Sequence, residues 1–157
     1  MNIKEMEELK EYLISQFLLR SDSLHGPLHW ESVLRNGLLM ASKNKNIDKE
    51  VVTLFSYIHD SKRVDEYIDI NHGQRAANSL HYLEKLGLIN LSKNQKELLF
   101  FAIKYHNQGD ISKDITIGAC WDSDRLELDR VGILPSTDFF STSEGKHLLN
   151  DRYRIQI

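Results

Sequence analysis

Apolar residues recur at three- and four-residue intervals through almost the whole chain, and this rhythm restricts the fold more than any other feature. Met6, Leu9, Tyr12, Leu13 and Phe17 form the first stripe, and comparable stripes run through residues 28–43, 49–60, 73–86, 94–106 and 114–128. That interval lines apolar side chains along one side of an α-helix, whereas a half-buried strand needs strict alternation, which no segment offers convincingly. The connections SKNKNID, INLSKN and NQGDISKD are short and polar, as links between packed helices are. With 157 residues, 41% of them hydrophobic, the chain can bury a real core. The expectation is an all-α, compact helical bundle forming one domain over 1–157. Its last part, from about residue 135, reads as a loop followed by a short helix near 141–149.

Charge and cysteine usage narrow the function classes. A formal net charge of -3 gives no broad basic track for nucleic acid or an anionic membrane. No apolar run approaches the length of a membrane span. The N-terminal stretch MNIKEMEELKEYLISQF mixes charges into its apolar residues and so lacks a signal-peptide core, and the single cysteine, Cys120, allows no internal disulfide. A cytoplasmic protein is expected, with Cys120 packed in the core.

The ends of the stripes are unusual. His59 continues the apolar face of Val52 and Phe55, and Asp60 follows it directly. His106 likewise continues Leu99, Ala102 and Ile103. His29 opens a stripe that continues through Val33 and Met40, and His72 opens one through Ala76, Leu80 and Leu83. Asp124 falls within the stripe of Ile117, Cys120, Trp121 and Leu128, while Asp122 points nearly opposite. Two readings stand on pattern alone. These groups are unrelated core polars with local hydrogen bonds, or they converge on a divalent ion, which would offset the cost of burying carboxylates. Imidazole with carboxylate suits Mn, Fe, Co, Ni or Zn better than an all-oxygen Ca or Mg cage.

The order His29, His59-Asp60, Asp124 resembles the H…HD…D order of the HD-domain superfamily of metal-dependent phosphohydrolases. HGPLHWESVLRNGLLMA, LFSYIHDSKR, INHGQRAA, AIKYHNQG and CWDSDRLELDRVGI extend the resemblance over about residues 23–135, to a small, single-domain group of that superfamily. The resemblance implies a compact HD-domain helical bundle, with metal held by His29, His59, Asp60 and Asp124. His72 and His106 stand where two-metal members place two further histidines, so one or two ions are implied, with Asp60 bridging in the second case. It also implies a phosphohydrolase that uses metal-activated water on a phosphate ester or anhydride, with a small nucleotide as the partner molecule.

Further residues are candidates for substrate contact or proton transfer. His25 lies four before His29, but Gly26-Pro27 intervenes, and proline belongs in the first helical turn. His25 therefore precedes the helix, as a substrate contact or a loop residue. Lys62, Arg63 and Arg75 could hold phosphate oxygens, the fork of Arg63 best of all; the plainer alternative is a solvated surface. Asp65 and Glu66 follow the HD pair where some HD families place an acidic group that assists proton transfer. Arg125 reads most simply as pairing with a local carboxylate, and His81 and His147 as surface residues. Alternative functions are a dinucleoside-polyphosphate hydrolase, a cyclic-dinucleotide or nucleic-acid phosphodiesterase, and a nucleotide-binding regulatory module that keeps the metal without turnover.

Overall fold

Local capping chemistry starts most of the helices. In the computed structural model, which describes residues 1–154, α1 (Ile3–Gln16) is capped by Asn2, whose side chain accepts from the Glu5 amide while Glu5 returns the bond. Pro27 opens α2 (Pro27–Lys43), Asp48 caps α3 (Lys49–Ile58), and α4 spans His72–Lys85. Ser92 and Gln95 form a second reciprocal cap on α5 (Lys93–Tyr105), and Asp114 caps α6 (Ile115–Arg125). Two single 3-10 turns, Leu128–Val131 and Thr137–Phe139, lead to α7 (Ser143–Arg154). Among the described residues there are seven α-helices and no strand, so the all-α expectation holds. Residues 155–157 of the expected C-terminal segment lie outside the described residues.

The most apolar helix is the centre of the bundle. Every residue of α3 from Val51 to Ile58 is buried, because α1, α2, α5 and α6 all pack around it. α4 packs on α5. Phe55 and Leu54 of α3, Trp30 and Met40 of α2, and Leu99 and Ile103 of α5 share one continuous core. Each such side chain contributes on the order of 1.5–3 kcal/mol by leaving water. Cys120 is buried within this core, as its apolar stripe requires.

Polar anchors fix the elements that surround the histidines. Buried Asn36 of α2 donates to the Ser123 carbonyl (3.0 Å) and to Glu127 (2.7 Å), which pins the last turn of α6 against α2. Gly73 lies where α4 crosses the end of α5. A Cβ there would come within 2.8 Å of the Ile103 carbonyl and 3.0 Å of that of Lys104, so only glycine lets the two helices approach this closely.

α7 begins at Ser143 and runs to Arg154, against the expected 141–149, and its start is locked from outside. Fully buried Asp122 accepts from the Ser141 and Thr142 amides (both 2.8 Å) and from the Thr142 hydroxyl (2.6 Å), and that hydroxyl in turn accepts from the Gly145 amide. Burial pushes the Asp122 carboxyl up, against the pull of these hydrogen bonds. Asp122 does point away from Asp124, toward this second, smaller core of Leu126, Phe140 and Leu149.

Candidate metal centre

Five helix ends meet in one place. His29 lies in the first turn of α2, His59 caps the end of α3, His72 opens α4, His106 caps the end of α5, and Asp124 lies in the last turn of α6. All four histidines and Asp60 are buried. A helix end carries unpaired backbone groups, and the imidazoles use them. His59 Nδ1 donates to the Phe55 and Ser56 carbonyls (3.0 and 3.1 Å), His106 Nδ1 to the Ile103 carbonyl (2.6 Å), and His72 Nδ1 to the Asp69 carbonyl. With the proton on Nδ1, each Nε2 is left as a lone pair directed inward. Phe55 stacks on the His59 ring, with centroids 4.8 Å apart.

The inward atoms form two groups around one carboxylate. His29 Nε2 is 3.2 Å from His59 Nε2 and 3.1 Å from Asp124 Oδ1, and these two imidazole nitrogens are 3.6 and 3.5 Å from Asp60 Oδ2. His72 Nε2 is 2.9 Å from His106 Nε2, and these lie 3.1 and 3.5 Å from Asp60 Oδ1. Asp60 therefore turns one oxygen to each histidine pair.

The donor set fits a divalent ion. Ligands at bond lengths of about 2.0–2.1 Å stand about 3.0 Å apart in an octahedron and about 3.4 Å apart in a tetrahedron, and the spacings above centre on that range. Lone pairs of two neutral imidazoles facing each other at 2.9 or 3.2 Å repel unless a cation lies between them. Asp124 Oδ1 is buried without a hydrogen-bond donor, and His29 Nδ1 is also unpartnered. His29, His59 and Asp124 can together hold a metal, as can His59, Asp60 and His106.

The electrostatics agree. Burial would raise the Asp60 carboxyl, but the imidazoles around it, His59 first and then His106, His25 and His72, hold it well below the usual range. Asp124 is likewise held low, against burial, by His29 and His59. Burial lowers His29. It acts the same way on His59, where Asp60 and Asp124 outweigh it and raise the imidazole. Both carboxylates are thus held in the charged form, which suits a cation between them and the imidazoles.

The fold as a whole matches a solved structure. A predicted HD superfamily hydrolase from an uncultured Thermotogales bacterium superposes with a TM-score of 0.72 at 22% identity, covering 99% of this chain and 92% of that one. The chain shares the fold of that protein. No family model matches the sequence, and no curated protein does. Within this fold Asp60, His72, His106 and Asp124 line a cavity of about 390 Å³, whose wall includes His25, Arg63, Arg125 and Arg130. No helix among the described residues is long and apolar enough to cross a membrane.

The remaining sequence candidates divide by position. His25 precedes α2, as Pro27 requires, and its Nδ1 is 3.3 Å from Asp60 Oδ2 while Nε2 faces the Glu66 carbonyl at 3.1 Å. Arg63 is buried, with Nη1 4.0 Å from Asp60 Oδ1 and 3.4 Å from both nitrogens of His72. Arg75 departs from expectation. Its guanidinium holds the Lys62 carbonyl (3.0 and 3.1 Å) and Asp69 (2.5 Å), bracing the loop between the HD pair and His72, and neither Arg75 nor Lys62 lies on the cavity wall. Asp65 and Glu66 also turn elsewhere. Asp65 accepts from the Tyr67 and Ile68 amides (2.7 and 3.0 Å), and Glu66 from the Ser23 hydroxyl and the Leu24 amide (2.7 and 2.9 Å). Asp65 thus closes the turn of its own loop, while Glu66 ties that loop to the chain before α2.

Sequence reasoning passed over Arg130. Its Nη2 lies 3.4 Å from His25 Nδ1 and 3.9 Å from Asp60 Oδ2, while Nε and Nη1 hold the Leu24 and Glu127 carbonyls. It lies within the quoted motif CWDSDRLELDRVGI, but in a 3-10 turn that helical spacing does not describe. Arg125 corrects a second expectation. It donates to the Phe139 carbonyl (2.6 Å) and lies over the Trp121 ring, 5.5 Å from its centroid, instead of pairing with a carboxylate.

Proposed function

We propose that this protein is a dinuclear, metal-dependent phosphohydrolase acting on a phosphate ester or anhydride of a small nucleotide. One observation carries the reading: the two oxygens of Asp60 face separate histidine pairs, the disposition a carboxylate needs to bridge two ions. His29, His59, Asp60 and Asp124 would hold one ion, and His72, His106 and Asp60 the other. Divalent transition ions bound there supply a Lewis acid and make water a competent nucleophile near neutral pH.

The residues around the ions account for the rest of the chemistry. Carbonyl acceptors on the Nδ1 side keep His59, His72 and His106 in the ligating tautomer. Arg63 and Arg130 flank the two oxygens of Asp60 and are placed to hold phosphoryl oxygens as negative charge grows on them. His25 stands beside them and can meet the leaving oxygen. A bond forms from the water oxygen to phosphorus, the bond from phosphorus to the leaving oxygen breaks, and the leaving oxygen takes a proton. A cavity of about 390 Å³ lies at the lower end of ligand sites, and this favours a mononucleotide over a dinucleoside polyphosphate.

The test is a panel of nucleotides and phosphodiesters assayed with Mn, Fe, Co, Ni, Zn and Mg. Asp60→Ala should lose metal and turnover together, with its helical circular dichroism retained. Full metal content in both Asp60→Ala and Asp124→Ala would refute the metal centre. A metal-loaded protein that binds nucleotide without turnover would place it in the regulatory class instead.

A further inference from the structure

The cavity wall carries three arginines, and they are not equivalent. Arg63 and Arg130 lie 4.0 and 3.9 Å from the two oxygens of Asp60, beside the proposed ions. Arg125 is 5% exposed and forms no ion pair with a carboxylate among the described residues; Asp122, Asp124 and Asp110 act on it only at longer range. One of its terminal nitrogens, Nη1, is used by the Phe139 carbonyl, and the other, Nη2, is buried with no hydrogen-bond partner. A guanidinium is always charged, and a buried donor of a charged group left unpaired is among the costlier features a fold can keep. The same stretch of wall is apolar, with Leu128, Val131, Ile133, Leu134 and Phe140 beside it. Against the carboxylates of Asp60 and Asp124, these three arginines leave the cavity positive before any ion is counted, within a chain whose net charge is -3.

We propose that Arg125 binds a second phosphate of the substrate, distinct from the one attacked beside Asp60, so that the substrate class is a small nucleotide bearing two phosphoryl groups. This rests on the phosphohydrolase reading above. Arg125 then acts as a specificity-determining residue. The second phosphate completes its hydrogen bonding, and the apolar wall takes up the uncharged part of the molecule. The two phosphates can be joined in a diphosphate or carried apart on the sugar; both present the same chemistry to a guanidinium fork.

The experiment uses the full-length, metal-loaded protein with a nucleoside 5′-diphosphate, a nucleoside 3′,5′-bisphosphate, a nucleoside 5′-monophosphate and p-nitrophenyl phosphate. The unsubstituted protein should prefer one of the two-phosphate compounds over the monophosphate by about tenfold or more in kcat/KM. Arg125→Met should reduce kcat/KM for that compound by about 30-fold or more while leaving p-nitrophenyl phosphate within about threefold and metal content unchanged. Arg125→Lys, which keeps the charge without the fork, should fall between them and carries the comparison where the Met variant loses helical content. Equal loss on every compound, or no preference in the unsubstituted protein, would overturn the proposal. If no compound is turned over, the phosphohydrolase reading fails separately, and calorimetric binding of the same compounds decides: selective weakening of the two-phosphate ligand by Arg125→Met supports the site, and equal affinity in both proteins overturns it.

Discussion

At the scale of single residues, Asp60 is the member of the cluster that no other side chain can replace. Its oxygens face both histidine pairs, so in the proposed dinuclear site its removal would disturb both ion positions, whereas His72 and His106 each touch only the Oδ1 side. A specific outcome follows for metal stoichiometry. His72→Ala and His106→Ala should each lower bound metal from two ions to one per chain, measured by elemental analysis after titration of the metal-free protein. Unchanged stoichiometry with reduced turnover would instead assign these imidazoles to phosphate binding in a mononuclear site. Sequence reading singled out His72 and His106 because each lies at the end of an apolar stripe, where a polar side chain is conspicuous, and Asp60 because it follows such an end directly. It could not foresee the partners of Asp65, Glu66 and Arg75, which are the Tyr67 and Ile68 amides, the Ser23 hydroxyl with the Leu24 amide, and the Lys62 carbonyl with Asp69, contacts that have no periodic signature.

Among the helices, the second histidine pair depends on one close crossing. Gly73 lets the start of α4 approach the end of α5, and this brings His72 Nε2 within 2.9 Å of His106 Nε2. Gly73→Ala would place a methyl group against two backbone carbonyls, which cannot rotate away as a side chain can. It should destabilise the protein by about 1–3 kcal/mol in urea unfolding and weaken the His72–His106 ion more than the other. An unaltered midpoint and unaltered metal content would mean that the crossing adapts freely. Helix identity was legible from sequence for α1 to α6 because each has an apolar stripe against the common core. The start of α7 was not legible, since it is fixed by Asp122, a residue about twenty positions earlier.

The whole molecule stores an electrostatic cost at its centre. Four buried histidines and two carboxylates held in their charged form are brought together by helices whose other faces are apolar. A bound ion relieves that cost only in the folded state, so metal should stabilise the protein by mass action, by about 4 kcal/mol at a thousandfold excess over Kd. For a chain of this size chelation should lower Tm by about 10 °C. The pH dependence should change as well, the raised His59 and the lowered His29 acting in opposite directions in the metal-free protein. In the metal-free protein the raised His59 contributes stability that is fully present below about pH 6.5 and is lost as pH rises through its higher folded value. In the metal-loaded protein the ligating imidazoles must be deprotonated, so stability should rise over the same interval. Calorimetric Tm between pH 5.5 and 8.5, with and without metal, tests this, and parallel slopes would show that no proton is exchanged for the ion. The sequence by itself determined that the chain is helical, which side of each helix is buried, and that His29, His59, Asp60, His72, His106 and Asp124 break the pattern at helix ends, because burial periodicity is a local property of the chain. Only the tertiary structure decided that Asp60 divides its two oxygens between two histidine pairs, and that Arg125 and Arg130 reach the same cavity from the chain beyond Asp124. Those relations depend on how helices cross and where an irregular turn places a guanidinium, distances between residues far apart in sequence that no local pattern encodes.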